Sequence, residues 1–472
     1  MKKYIVSFAV ATLVLSSVTG CIEEYSPEGY NNYVTIDQAA EAPGSYDNFV
    51  NNITTSLSGQ FTYNGSKYTP WDFGISSFFL QRDVMGQDIA LANSGSHFQG
   101  WYTCSIGLGP RYALCQVPWT YYYGWIKNCN TVILIAGEKP ADKQKAGAGI
   151  AYAMRAMFYM DLARMYAPKT YAEDKNSPTV PKITEKAVED MYNNPRMTNE
   201  EIFAFILSDL DKAEEYIAGY KRADKYTPDL SVVYGLKARA YLTMADWPNA
   251  EKYAKLAQQG YTEMTGEEYT SKTLGFNTAN GAWMFATRFK SDDPNLRLND
   301  SDSSWGSHMI TEIGGSKGDC GYASNYGYPL LIDRHLYETI PATDFRKNCF
   351  VDFEIDKLAT NSEKLAAMEK YSNEPSYVLK TGLSTATYGH KVGGLPVKFR
   401  PKNGACDQPL AVAAAVDVPL MRVEEMKLIE IEAVGRQNEA KGIEMLTAFA
   451  KKRDPQYQYG THNEAYGNTE TS

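Results

Sequence analysis

Several features that mark common protein classes are missing from this sequence. Its seven cysteines include no C-x-x-C pair and its five histidines show no ligand spacing, so neither a zinc site nor a disulfide framework is expected. It has no H-E-x-x-H motif, no Walker loop and no G-x-G-x-x-G motif after a strand. Its net charge of −9 argues against a nucleic-acid partner. We therefore expect no metal, no cofactor and no catalysis, although a carboxylate pair for glycoside hydrolysis needs proximity only in space.

Long apolar runs are also missing, except at the start. Lys2 and Lys3 precede an apolar stretch, residues 4–18, which is too short and too rich in serine and threonine to span a membrane. Small residues then lead into Cys21, as in the bacterial lipobox. This layout predicts a lipoprotein signal peptide over 1–20, acylation of Cys21 and a polar tether over 21–35. An ordinary signal peptide that happens to run into a cysteine is the alternative.

Aromatic residues and helical periodicity are abundant. Aromatics make up 13% of the chain, which is high, and from residue 36 onward apolar residues recur at helical spacing. Thr198 and Glu201 form a capping box that predicts a helix start. Residues 261–418 are instead rich in Gly, Ser, Asn and Asp, with a strand-like run at 282–286. We expect a mostly α fold with a helical scaffold over 36–260 and 419–450 and a loop-rich insertion over 261–418.

One segment fits the tetratricopeptide pattern. Ala238, Ala250 and Ala257 are small residues that let two helices approach closely, and Tyr241 fills the space between them. A similar helix pair is expected at 419–434 and 438–450. Because one repeat cannot bury its own apolar face, several should stack into a tetratricopeptide-like scaffold.

Five stretches together resemble the SusD/RagB family of outer-membrane lipoproteins. They run in the family's order through the predicted domain, 36–472. They are Trp119-Thr-Tyr-Tyr-Tyr-Gly-Trp-Ile126 with Asn130, Ala153-Met-Arg155-Ala156-Met-Phe158-Tyr159-Met-Asp161-Leu162, Ile206-Leu-Ser-Asp209-Leu210-Asp-Lys-Ala213, Ala238-Arg-Ala-Tyr241 with Ala250, and Pro419-Leu420-Met421-Arg422-Val423-Glu424-Glu-Met with Glu432-Ala433.

The resemblance implies a function. It implies a cell-surface protein that captures a nutrient, most often a glycan, and delivers it to a SusC-like TonB-dependent transporter in polysaccharide utilisation. Glu23 and Glu24 resemble the acidic tag that sends such lipoproteins to the surface, although two ordinary tether charges would look the same. Family members usually continue with a further helix where this chain turns polar after Tyr457, so a closing piece of the fold is expected to be absent or divergent.

Two loops suit sugar recognition, which needs flat aromatic rings beside polar partners. The resemblance places the ligand on loops between scaffold and insertion. The first loop carries His97, Phe98, Trp101 and Tyr102, and its glycines predict exposure. The second carries Trp305 among serines and aspartates, and a nearby aromatic run includes Tyr326. We expect these side chains, listed together, to bind ligand: Trp101, Trp305, His97, Phe98, Tyr102 and Tyr326.

Three alternatives remain open at this point. The cargo is a peptide in some relatives of the family, and tetratricopeptide folds elsewhere serve as protein-interaction scaffolds. The alternating oxygens of Asp300 and Asp302 suit calcium, but the stretch lacks the EF-hand glycine and glutamate positions, so a solvated acidic loop is preferred.

Overall fold

The computed structural model describes most of the chain. The described residues are 42, 44–60, 71–92, 95–105, 109, 111–186, 193–297, 303–314, 321–325, 328–383 and 391–460. The chain divides into two units after Tyr46, and the elements below belong to the larger unit, Asp47–Ser472, apart from the first two residues of α1. The expected signal peptide, Cys21 and the tether lie outside the described residues.

Helices dominate the regular structure, which confirms the expected mostly α fold. The helices of four residues or more are α1 (Ser45–Thr55), α2 (Ile75–Asp83), α3 (Gln99–Tyr102), α4 (Ala113–Ala136), α5 (Asp142–Tyr166), α6 (Asn199–Ile217), α7 (Leu230–Thr243), α8 (Trp247–Ala257), α9 (Gly266–Thr270), α10 (Pro294–Arg297), α11 (Trp305–Met309), α12 (Tyr322–Asn325), α13 (Arg334–Thr339), α14 (Asn361–Met368), α15 (Pro375–Leu383), α16 (Leu410–Ala413), α17 (Val423–Gln437) and α18 (Glu439–Lys451). Short 3₁₀ turns connect several of them. No described helix is long and apolar enough to cross a membrane.

Strands are few and short in the described part of the chain. They are β1 (Ile89–Leu91), β2 (Pro178–Pro181), β3 (Arg196–Thr198), β4 (Trp283–Arg288), β5 (Leu330–Ile332) and β6 (Asp417–Arg422). They form three antiparallel pairs, β1 with β5, β2 with β3 and β4 with β6. Two of these pairs join residues far apart in sequence, as in the register Ile89 opposite Ile332, so they tie the irregular region to the helices.

The long helices pack against their neighbours in chain order. α4 packs on α5, α5 on α6 and α7 on α8, and α8 then packs on α17, which packs on α18. The predicted capping box at Thr198 and Glu201 is confirmed at the start of α6. The predicted close approach of α7 and α8 is also confirmed, because Ala238, Ala250 and Ala257 are fully buried. The result is a stack of antiparallel helix pairs, the tetratricopeptide-like arrangement.

Ion pairs join the sequence stretches that carry the family resemblance. Arg155 on α5 is buried and its Nε lies 2.7 Å from Asp209 Oδ2 on α6. Its Nη1 donates to Asn130 on α4 at 2.8 Å and to Glu185 at 2.6 Å. A buried guanidinium is tolerated only when its donors are satisfied, so this network fixes three helices in register.

A second network joins the remaining two stretches. Arg239 on α7 donates to Glu425 on α17, with Nε 2.5 Å from Oε1, and to the Leu420 carbonyl at 2.7 Å. The tetratricopeptide-like pair α7–α8 is thereby tied to the C-terminal helices. The five stretches thus mark the places where the helices are held together.

Two expected element boundaries are wrong. The helical spacing that the sequence shows from residue 36 onward continues through residues 72–91, but helix α2 ends at Asp83, and residues 89–91 form strand β1 against β5 instead. The helix expected from Pro419 starts at Val423, because residues 417–422 pair with β4. Both segments are apolar enough to suit either element, and a distant partner strand decides between them.

Candidate functional site

The stretch 97–102 is less exposed than the sequence indicates. Residues 99–102 form the short helix α3, in which Trp101 is 3% exposed and packs edge-on against Trp71 at 5.5 Å between ring centroids. Phe98 is fully buried, so its expected exposure on a loop is wrong, while its contact with ligand stays a prediction. His97 and Tyr102 are exposed. Only part of this stretch is therefore available to a ligand.

An aromatic cluster links this stretch to the irregular region. The Tyr322 hydroxyl accepts a hydrogen bond from the His97 backbone N–H at 3.0 Å. The ring of His308 lies 4.6 Å from that of Tyr322 and 5.3 Å from that of Phe98. Packing of this kind between distant segments buries Phe98, which local sequence does not reveal. Tyr326, the other aromatic expected to bind, lies outside the described residues.

Trp305 and Trp101 line separate pockets. Trp305 begins α11, is 8% exposed and meets Phe399 edge-to-face at 5.5 Å. The pocket that it lines shares no lining residue with the pocket of Trp101. The two tryptophans singled out from the sequence thus do not form one continuous binding surface.

The Trp101 pocket is the better candidate site for a sugar. It has a volume of about 400 Å³, within the usual range for ligand pockets. Its lining residues come from α2 and the turn that follows it, from α3, from the first turns of α4 and from the last turn of α5. They are Gln81, Arg82, Met85, Trp101, Leu114, Cys115, Pro118, Arg164, Met165 and Tyr166.

Local sequence explains why these elements meet. Gly100 lets α3 approach α4, since a Cβ at that position would lie 2.7 Å from Leu114 Cδ1. Helix α5 ends at Tyr166 because Ala167 adopts an extended conformation, φ −75° and ψ 133°, immediately before Pro168. The Tyr166 hydroxyl then donates to the Cys115 carbonyl at 2.7 Å, which joins the end of α5 to the start of α4.

A buried amide supplies an unused donor at this pocket. Gln81 is 3% exposed, and within the described part of the chain its Nε2 has no hydrogen-bond acceptor. A buried donor without a hydrogen bond costs free energy, and an acceptor on a ligand would recover that free energy. Arg82 beside it is 29% exposed and its Nη1 lies 3.7 Å from Asp161 Oδ1. The pocket therefore offers an amide and a guanidinium edge to hydroxyl oxygens.

Apolar surface surrounds these polar groups. Met85 lines the pocket and is 42% exposed, while Tyr102 follows Trp101 and is 40% exposed. Tyr112, immediately before α4, is 46% exposed. Exposed tyrosines offer flat ring faces to the apolar faces of sugars.

The chemistry of the lining argues against catalysis in this pocket. No Asp, Glu or His is among its lining residues, so it has no general acid or base pair. Burial raises the pKa of the Cys115 thiol, which keeps that thiol neutral and a poor nucleophile. The described lining residues therefore suit binding of a ligand.

One match to a catalytic motif was missed by the sequence reasoning. Residues 314–318 read Gly-Gly-Ser-Lys-Gly, the G-x-S-x-G spacing of a nucleophile elbow. That elbow needs a strand before the serine, and residues 310–314 form no strand. Residues 315–320 lie outside the described part of the chain. Among the described residues no group of three His, Cys, Asp or Glu side chains is placed to hold a metal ion, and Asp300 and Asp302 are not described.

Residues 93–242 match the model of a SusD-like family described as "Starch-binding associating with outer membrane". This segment includes α3 to most of α7 and so contains Trp101 and most of the lining of its pocket. A comparison with curated proteins finds no match.

Solved structures share the fold. A SusD-like carbohydrate-binding protein from Bacteroides vulgatus is 23% identical, with a TM-score of 0.65 over 87% of this chain and 75% of that chain. A SusD-superfamily protein from Bacteroides thetaiotaomicron is 16% identical, with a TM-score of 0.60 over 90% of this chain and 81% of that one. Surface glycan-binding protein A from Bacteroides fluxus is 14% identical, with a TM-score of 0.58 over 87% and 81%.

The solved structures define a helical-repeat fold of the SusD type. Residues 93–242 are similar to a SusD-like family, and this segment and the fold agree with the resemblance seen in the sequence stretches.

Proposed function

We propose that this protein binds a nutrient glycan at the cell surface without transforming it and passes the glycan to a SusC-like TonB-dependent transporter. The observation that carries the proposal is the composition of the Trp101 pocket. It combines an indole edge, followed in α3 by the exposed Tyr102, with the unused Gln81 amide, and its described lining residues include no acidic or histidine side chain. Similarity to proteins described as carbohydrate-binding or glycan-binding supports the same reading.

Attachment to the outer membrane through lipid on Cys21 is part of this proposal. The family model is described as associating with the outer membrane, and no described helix could span a membrane. Cys21→Ser should release the full-length protein from the membrane fraction into the soluble fraction. A Cys21→Ser protein that stays in the membrane fraction would contradict lipid anchoring.

The direct test uses the chain without its signal peptide, residues 22–472. Isothermal titration calorimetry against a panel of neutral and acidic polysaccharides should show saturable binding to one glycan class. Incubation with the bound polysaccharide should release no reducing ends. Release of reducing ends that increases with time would contradict the non-catalytic role. Absence of binding to every polysaccharide by the folded protein, together with binding to peptides, would favour the peptide alternative.

A further inference from the structure

A second pocket lies at the sheet formed by β1 and β5. It has a volume of about 260 Å³, which suits one sugar residue better than a longer ligand. Apolar side chains make up most of its lining. The lining residues are Leu80, Asp83, Asp88, Ile89, Trp305, Met309, Leu330, Leu331, Ile332, Leu336, Phe350, Pro396, Lys398 and Phe399.

Lys398 brings a positive charge into these apolar surroundings. Its Nζ lies 5.3 Å from the ring centroid of Phe276, 5.4 Å from that of Phe350 and 5.0 Å from that of Phe399. In the described part of the chain no carboxylate lies within ion-pairing distance of this Nζ. Ring faces only partly replace the water that an ammonium loses on burial. Among the described residues the charge therefore has no ion-pair partner, although the Asp83 carboxylate of the same pocket attracts it.

Trp305 adds a second unused donor to the same pocket. Its side chain is 8% exposed, and its Nε1–H has no acceptor among the described residues. Buried indole N–H groups usually find a partner. The two side chains that carry these donors, one of them charged, both line one small apolar pocket. A ligand group with two acceptor oxygens and a negative charge would satisfy both.

The exposed residues of the pocket have the opposite character. Asp83 and Asp88 are exposed and line the same pocket. Ionised carboxylates only accept hydrogen bonds, so they suit hydroxyl donors and repel any anionic group that is not held against Lys398. The pocket is thus polarised, with its donors on the half-buried Lys398 and the buried Trp305 and its acceptors at exposed positions.

We propose that this pocket binds a single uronic acid residue of the glycan, whose carboxylate accepts from Lys398 Nζ and Trp305 Nε1 while its hydroxyls donate to Asp83 and Asp88. This inference rests on the proposed glycan-binding function and names its substrate class as an acidic polysaccharide. A neutral sugar would leave the Lys398 charge without a partner. The carboxylate is the group that matches both donors with its two oxygens.

The test compares acids with their own esters. Oligosaccharides ending in glucuronate, galacturonate or mannuronate are titrated by calorimetry into residues 22–472, each beside its methyl ester. At least one acid should bind roughly tenfold or more tightly than its ester, because the ester removes the charge and keeps the shape. Equal affinity within all three pairs would overturn the proposal.

Variants then assign the preference to the pocket. Lys398→Met should abolish the difference between acid and ester, and Trp305→Phe should reduce it. Lys252→Met is the matched control, because it removes an exposed lysine from α8, which does not line the pocket. Persistence of the full preference in a folded Lys398→Met variant would overturn the proposal. If that variant does not fold, the comparison of acid with ester in the parent protein still decides whether the protein prefers the uronate carboxylate.

The outcome separates this inference from the proposed function. Binding of neutral polysaccharides with no preference for acids would leave the proposed function intact and overturn the uronate site alone. Failure of the folded protein to bind any polysaccharide, neutral or acidic, would overturn both.

Discussion

At the scale of single residues, buried charges are held in groups, and the Arg155 network is the tightest of them. Arg155→Ala would leave the Asp209 carboxylate, 2% exposed, without its guanidinium. We expect a loss of roughly 3–5 kcal/mol in the free energy of unfolding, measured by urea denaturation. Lys145→Ala is the control, because its ion pair with Asp142 is exposed to solvent and its removal should change stability little. Similar losses in both variants would contradict this account.

Glu263 should contribute stability that depends on pH. Burial alone would raise the pKa of Glu263, but hydrogen bonds from Lys452, Lys427 and Arg453 outweigh burial and hold this pKa at about 2. A lowered carboxylate pKa stabilises the fold fully above the unfolded pKa, about 4.5, and the benefit is lost as pH falls towards 2. Glu263→Gln should therefore destabilise the protein by roughly 2 kcal/mol at pH 7.

The pH series supplies the check on Glu263. Thermal unfolding of Glu263→Gln and of the parent protein should converge as pH falls from about 4.5 towards 2. A gap in stability that stays constant over that range would show that the carboxylate charge is not the cause.

Because of Lys398, the affinity for an acidic sugar should fall at alkaline pH. Burial lowers the pKa of Lys398; Cys349 and Asp83 oppose this effect, while Arg422 and Arg346 add to it. Because only the ammonium form attracts a carboxylate, affinity for the preferred uronate should fall as pH rises through this lowered pKa. Calorimetry from pH 7 to 10 measures the fall, and binding of a neutral glycan is the control. A flat profile for the acid would contradict the role of Lys398.

At the scale of elements, glycine decides how closely α17 and α18 pack. A Cβ at Gly442 would lie 2.3 Å from the Cα of Gly435, so Gly442→Ala must push the two helices apart. We expect a loss of roughly 1–3 kcal/mol. Gly124→Ala, also in a helix, meets nothing within 4 Å and should stabilise by up to about 1 kcal/mol. Opposite signs in chemical denaturation support the packing account, and equal effects contradict it.

The long helices could be predicted from the sequence, whereas the short elements around the pockets could not. Helix α5 carries its own apolar stripe and ends before Pro168, so the local sequence pattern is enough to predict this helix. Strand β1 exists because β5, some 240 residues later, pairs with it. The burial of Phe98 likewise depends on His308. Elements defined by distant partners leave little trace in local periodicity.

At the scale of the whole molecule, a rigid helical stack carries two pockets with different chemistry. Trp101 and Trp305 could be chosen from the sequence, because each stands among polar residues. Gln81 and Lys398 could not, since their unused donors result from packing rather than from any motif. The division into a scaffold over 36–260 and 419–450 and an insertion over 261–418 stays a prediction. Roles of Trp101, Tyr102, His97 and Trp305 in binding stay predictions as well.

The most direct test of glycan binding at the Trp101 pocket is the effect of Tyr102→Ala on affinity for the polysaccharide that the panel identifies. Tyr102 follows the pocket residue Trp101 in α3 and is 40% exposed, so its loss should leave the fold intact. Tyr459→Ala removes a tyrosine that is 53% exposed and lies after α18 in the chain. Calorimetry should show roughly tenfold weaker binding for Tyr102→Ala and no change for Tyr459→Ala. Unchanged affinity in Tyr102→Ala, or an equal loss in both variants, would contradict the assignment of the glycan to this pocket.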